Sequence, residues 1–140
     1  MLNDSRQIDS ARRKASKELD STRRAELGQF MTPTRIADFM ASLFQTWPRE
    51  AVLLDPGAGI GSLTEAFARR FVEKAPQGAI LSAHLYEIER VMLPYLREHM
   101  GEIRAHFSKA GHTFRSAIHE RDFIAETTYE IAMGGPLYTQ

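Results

Sequence analysis

Val52-Leu53-Leu54-Asp55-Pro56-Gly57-Ala58-Gly59-Ile60-Gly61-Ser62 sets three glycines at alternate positions directly behind an apolar run. The run Ala51 to Leu54 follows Trp47-Pro48 and stops at Asp55-Pro56. Short apolar continuity between breakers predicts a buried strand. Ser62 opens a different pattern, with Leu63, Phe67 and Phe71 one above another at helical spacing and Glu65, Arg69, Glu73 and Lys74 expected to face water. The stretch therefore reads as strand, glycine turn, helix.

Downstream, Pro76-Gln77-Gly78 ends that helix, and Ala79 to Ile88 has the apolar density of a second strand. Leu93, Leu96, Met100, Ile103 and Phe107 then recur at helical spacing, with Pro94 tolerable only in the first turn. A third strand is expected within His112 to Ile118 and a fourth at Tyr129 to Met133. Upstream, Gly28 breaks the pattern. Thr32-Pro33 is expected to start a helix with proline in its first turn, and Ile36, Phe39, Met40, Leu43 and Phe44 are expected to form its core face.

Strands alternating with crossover helices imply an α/β fold, a parallel sheet with helices on both faces and right-handed connections. The chain divides into a charged amino-terminal helix or arm over residues 1–27 and a domain over residues 28–140. The arm carries a thin apolar stripe at Ile8, Ala11, Ala15, Leu19 and Leu27, which fits a solvated surface helix better than a nucleic-acid-binding arm.

Composition narrows the function classes. The chain has 140 residues, 43% of them hydrophobic and 26% charged, enough apolar material for one packed domain. Its 18 basic and 18 acidic residues cancel, so any contact with a polyanion must be local. With no cysteine and no close pair among its five histidines, a metal centre is not expected. Nothing approaches the ~18 consecutive apolar residues of a membrane span, and the first residues lack the apolar centre of a secretory signal. A cytoplasmic location is expected.

Ligands of such sheets sit beyond the carboxyl ends of the strands, where the loop Asp55 to Gly61 falls. Glycines there bring bare amides against a ligand; a tight turn with no ligand is the alternative. The dinucleotide fingerprint is GxGxxG, whereas this loop is GxGxG behind Asp55-Pro56. A carboxylate at Asp55 would repel a pyrophosphate and suit a cation, and S-adenosylmethionine carries a sulfonium and an ammonium. Glu87, at the end of the second strand, could accept hydrogen bonds from both ribose hydroxyls, or could be a plain surface charge; Ile88 beside it could pack on adenine.

These residues resemble the adenine-specific DNA methyltransferases of restriction-modification systems that modify the exocyclic amino group. Gln29-Phe30-Met31-Thr32-Pro33 with Ile36-Ala37 is similar to that family's amino-terminal cofactor motif, Asp55 to Gly61 to its glycine motif, Tyr86-Glu87-Ile88 to its ribose motif and Arg121-Asp122-Phe123 to its adenine-contact motif. The order is also the family's. The resemblance implies a Rossmann-like S-adenosylmethionine-dependent methyltransferase fold. It implies that Thr32 and Pro33 line the methionine end of the cofactor and that Gly57, Ala58, Gly59 and Gly61 form the loop beneath it. Asp55 would orient that loop, Glu87 hold the ribose, Ile88 pack on adenine, Asp122 accept from the adenine amino group and Phe123 lie beside the ring.

The chain departs from the family where the fourth strand should lead into Asn/Asp-Pro-Pro-Tyr/Phe. It reads Gly134-Gly135-Pro136-Leu137-Tyr138, so the degenerate position of the target-amine acceptor is Gly135, with no side-chain acceptor, although Tyr138 could stack on an extruded base. The expectation is a truncated or frameshifted amino-terminal portion of a larger enzyme, incomplete at its carboxyl end, binding S-adenosylmethionine with methyl transfer and DNA binding weak or absent. An exposed sheet edge would favour self-association. A methyltransferase for RNA, protein or a small molecule, and a non-catalytic nucleoside-binding interaction module, are the alternatives; the Gln29 to Pro33 motif and the Pro136-Leu137-Tyr138 remnant favour DNA over other substrates.

Overall fold

The computed structural model describes residues 32–133 together with Ser10, Arg13 and Lys14. Those three are helical; the rest of the expected amino-terminal arm, Gln29 to Met31 and Gly134 to Tyr138 lie outside the described residues. The elements run α1 (Thr34–Ser42), β1 (Glu50–Asp55), α2 (Ser62–Lys74), β2 (Ile80–Tyr86), α3 (Leu93–Lys109), β3 (Thr113–His119) and α4 (Phe123–Ala132).

The three strands form one parallel sheet in the order β1-β2-β3. The register aligns Asp55 with Leu85 and Leu85 with Ile118, so the carboxyl ends of the strands are level. Because the strand order steps in one direction, right-handed crossovers place α2 and α3 on the same face. There Leu81, Ala83, Leu85 and Phe114 of the sheet meet Phe67, Ala68 and Phe71 of α2 and Leu96, Met100, Ile103 and Phe107 of α3. Phe71 and Phe107 stack with ring centres 6.0 Å apart at the centre of this core. Each such side chain taken fully from water contributes about 1.5–3 kcal/mol.

The opposite face is met at its carboxyl end by α4, where Phe123 lies edge-on to Tyr86 at 5.1 Å. Elsewhere on that face Val52 is 77% exposed among the described residues. The strand expected at Ala51 to Leu54 is therefore present but buried on one side. Apolar continuity alone does not tell a strand covered on both faces from one covered on one.

The structure corrects further expectations. The stripe Ile36, Phe39, Met40, Leu43 and Phe44 is exposed among the described residues, and α1 instead turns Thr34, Ala37 and Ala41 inward. Ala37 and Ala41 pack with Ala66 of α2, because small residues on both helices allow a closer approach than large ones. Pro33 stands at the N-cap of α1 rather than in its first turn, its carbonyl accepting from the amides of Ile36 and Ala37.

On α2, Glu65 does not face water: it is 1% exposed. Its Oε1 accepts from Arg69 Nη1 at 3.4 Å, and the other arm of the same guanidinium pairs with Asp38 of α1. One arginine thus bridges the two helices, and Glu65 is drawn under it.

The fourth strand expected at Tyr129 to Met133 is helix as far as Ala132. Asp122 sets the outcome by capping α4, its Oδ1 accepting from the amides of Ile124 at 2.9 Å and Ala125 at 3.1 Å. A short apolar run has no period of its own to resist continuation of a helix already begun.

Candidate functional site

The loop Asp55 to Gly61 leaves β1 at the carboxyl edge and is held by its neighbours' main chain. Ala58 N–H donates to the Tyr86 carbonyl at 2.9 Å, and Gly61 N–H closes a turn on the Ala58 carbonyl at 2.7 Å. Gly59 and Gly61 have φ of 56° and 89°, left-handed values that a side chain disfavours. A Cβ on Gly61 would also stand 2.7 Å from Met100 Cε of α3. Gly57 is different: its φ is not positive, and a Cβ there would meet nothing within 4 Å. Neither backbone angle nor internal packing in the described chain demands glycine at 57, and its main chain is open to an approaching molecule.

Glu87 joins β2 to this loop. The residue is 6% exposed, and its carboxylate accepts two main-chain hydrogen bonds, from Gly59 N–H to Oε2 and from Glu89 N–H to Oε1, each 2.7 Å. Its own N–H donates to the His119 carbonyl at the end of β3, at 3.0 Å. An anionic acceptor strengthens each bond. Ile88, next in the chain, is 42% exposed, an apolar side chain beside a buried acid.

Asp55 is buried and turned toward α2. Its Oδ2 accepts from Thr64 Oγ1 at 2.7 Å, and the Gly57 amide also donates to it. Burial raises its pKa above the ordinary carboxylate value, opposed by the Thr64 and Gly57 hydrogen bonds. Its visible work is to tie the loop to the first turn of α2.

Of the other residues singled out in the sequence, Phe123 is brought near Glu87 through Tyr86. Asp122 uses Oδ1 to cap α4. Thr32 is half-buried and Pro33 exposed, at the amino end of α1, which is tied to α2 by the Ala37, Ala41 and Ala66 packing and by Arg69. Sequence reasoning missed Thr64, Glu65 and His99. Burial raises the pKa of Glu65, with Arg69 and then His99 pulling it down and Asp38 pushing it up. The available signal for His99 was its place three residues beyond Leu96, beside the apolar stripe of α3.

A parallel strand-helix-strand sheet with a glycine turn at its carboxyl edge and an acid at the end of the adjacent strand defines a Rossmann-like α/β domain. No protein-family model and no solved structure matches the chain significantly. Two curated proteins do. The Type II methyltransferase M.PstI of Providencia stuartii is 33% identical over 124 residues, 89% of this chain and 24% of that protein. The Type II methyltransferase M.BsuBI of Bacillus subtilis is 39% identical over 109 residues, 77% of this chain and 20% of that protein. The chain is a homologue of the Type II methyltransferases over most of its own length, and it spans about a quarter or less of theirs. No helix among the described residues is long and apolar enough to cross a membrane.

Proposed function

We propose that residues 28–140 are the S-adenosylmethionine-binding part of an adenine-specific DNA methyltransferase of the restriction-modification type, working in the cytoplasm. The observation that carries this reading is the hydrogen bond between Gly59 N–H and Glu87 Oε2. It joins a loop with open main chain to a buried carboxylate whose remaining lone pairs suit ribose hydroxyls, in a chain homologous to methyltransferases.

In this reading Gly57, Ala58, Gly59 and Gly61 form the floor of the site and Glu87 holds the sugar. Ile88 and Phe123 flank the adenine, and Asp122 accepts from its amino group. Asp55 fixes the loop to α2, and Thr32 and Pro33 border the methionine end. When bound, the cofactor supplies an electrophilic methyl group on sulfonium. The chain's residues bind and orient it, and the second requirement, an acceptor for the target amine, has no side chain to fill it at Gly135. In this reading DNA is the substrate, as the relatives suggest, and methyl transfer by these 140 residues is weak or absent. The apolar face carrying Val52, exposed among the described residues, with β1 hydrogen-bonded there on one side to β2, favours self-association of the chain.

Calorimetric titration of S-adenosylmethionine tests the reading. The wild-type chain is expected to bind and Gly57→Val to lose binding, while both unfold cooperatively, because the added side chain enters space empty of atoms of the described residues. A wild-type chain that takes up no S-adenosylmethionine would overturn the proposal.

A further inference from the structure

We propose that His99 is a positioning residue for the glycine loop, its Nδ1–H holding the Ile60 carbonyl from α3 while Glu87 holds the Gly59 amide. The inference rests on the cofactor reading for its functional consequence, and on geometry for the anchor itself.

His99 lies on α3 and is buried, with Nδ1 2.8 Å from the Ile60 carbonyl oxygen. A carbonyl only accepts, so Nδ1 carries the proton. Two further restraints on the loop come from β2 and the residue just beyond it: Ala58 N–H on the Tyr86 carbonyl, and Gly59 N–H on Glu87. Those two bonds hold amides that precede Ile60. The His99 bond holds the Ile60 carbonyl, one residue further along, just before the left-handed Gly61 leads into α2.

Contact between loop and α3 is close at this point. The Cβ position of Gly61 would be 2.7 Å from Met100 Cε, 3.1 Å from Leu96 Cδ1 and 3.5 Å from His99 Nδ1. Ile60 is itself buried, at 3% exposure. An apolar side chain at 99 would fill the same space yet leave this carbonyl without its donor, and a buried acceptor so stranded turns toward any other partner. Rotation of the Ile60-Gly61 peptide would shift the backbone of Ile60 and, through it, the Gly59 amide that pairs with Glu87. His99 thus acts through the loop and need not touch the ligand.

The two ring nitrogens make the test specific. An asparagine amide nitrogen falls near the place of Nδ1 and a glutamine amide nitrogen near that of Nε2, while leucine keeps bulk without a donor. With the full 140-residue chain, His99→Asn is expected to bind S-adenosylmethionine within about threefold of wild type, and His99→Gln and His99→Leu about tenfold more weakly. Amide hydrogen exchange over residues 57–61 without ligand should be unchanged in His99→Asn and faster in the other two. A merely space-filling role would let leucine match wild type and would give asparagine no advantage over glutamine; that pattern would overturn the proposal. Should His99→Leu fail to fold, the asparagine-glutamine comparison decides. If the wild-type chain does not bind S-adenosylmethionine, the cofactor reading falls, whereas unchanged loop exchange in His99→Gln would overturn the anchor independently.

Discussion

Asp55 and Glu65 stand on either side of the glycine loop, one ending β1 and the other in the first turn of α2, and the fold removes both carboxyls from water. Both have folded pKa values raised by burial above their ordinary ones. The unfolded chain therefore releases these protons at lower pH than the folded chain does. Between the ordinary carboxylate range and the raised values the folded state holds more protons, so this contribution to stability is present in acid and is lost as pH rises. Glu65→Gln removes one of the two groups. Its stability relative to wild type is expected to improve as pH rises above the ordinary carboxylate range, read from urea unfolding at each pH. A difference independent of pH would show that Glu65 titrates as an ordinary exposed acid. The sequence placed Glu65 on the wet side of α2 beside Arg69 because both are charged and four residues apart. What it did not show was the meeting of Arg69 with Asp38 on another helix, which pulls the guanidinium across and leaves the carboxylate beneath it.

Among the elements, α2 and α3 were legible because their apolar residues repeat over successive turns and each stripe meets the sheet. The stripe on α1 was equally regular, yet Ala37 and Ala41 proved to be its packed side. Helical periodicity identifies a face; which face is buried depends on the surface that receives it. For α4 the deciding residue is Asp122, whose side chain satisfies two of the amides that a helix leaves unpaired at its start. Asp122→Ala is expected to cost about 0.5–2 kcal/mol of local stability. Amide exchange at Ile124 and Ala125 should accelerate while exchange at Gly59, held by Glu87, stays as in wild type. Asp122→Asn, which keeps an acceptor oxygen, should restore protection; failure to do so would remove the capping explanation for the missing strand.

Taken over the full domain, the sheet and its two crossovers share one core, and Phe71 joins three of its parts: Phe67 on its own helix, Phe107 on α3 and Trp47 before β1. Fully buried among these rings, it has few ways to be replaced by a smaller side chain. Phe71→Ala is expected to destabilise the chain by about 3–5 kcal/mol, a transfer loss plus an unfilled cavity. Denaturant unfolding would measure it, and a loss below about 1 kcal/mol would mean that the core collapses around the gap.

Local sequence was enough to establish the alternation of strands and helices, the parallel α/β class and the position of the glycine turn at a strand's carboxyl end. Each of these depends on local periods and on backbone angles that few residues adopt. Long-range packing was needed for the buried side of α1, the fate of residues 129–132, the inward turn of Glu65 and the meeting of Glu87, Gly59 and His99 around one loop. Glu87 and Gly59 are separated by 28 residues and His99 and Ile60 by 39. Contacts at that separation exist only once the sheet has set its register and α3 has packed against it, and no local pattern of residues encodes them.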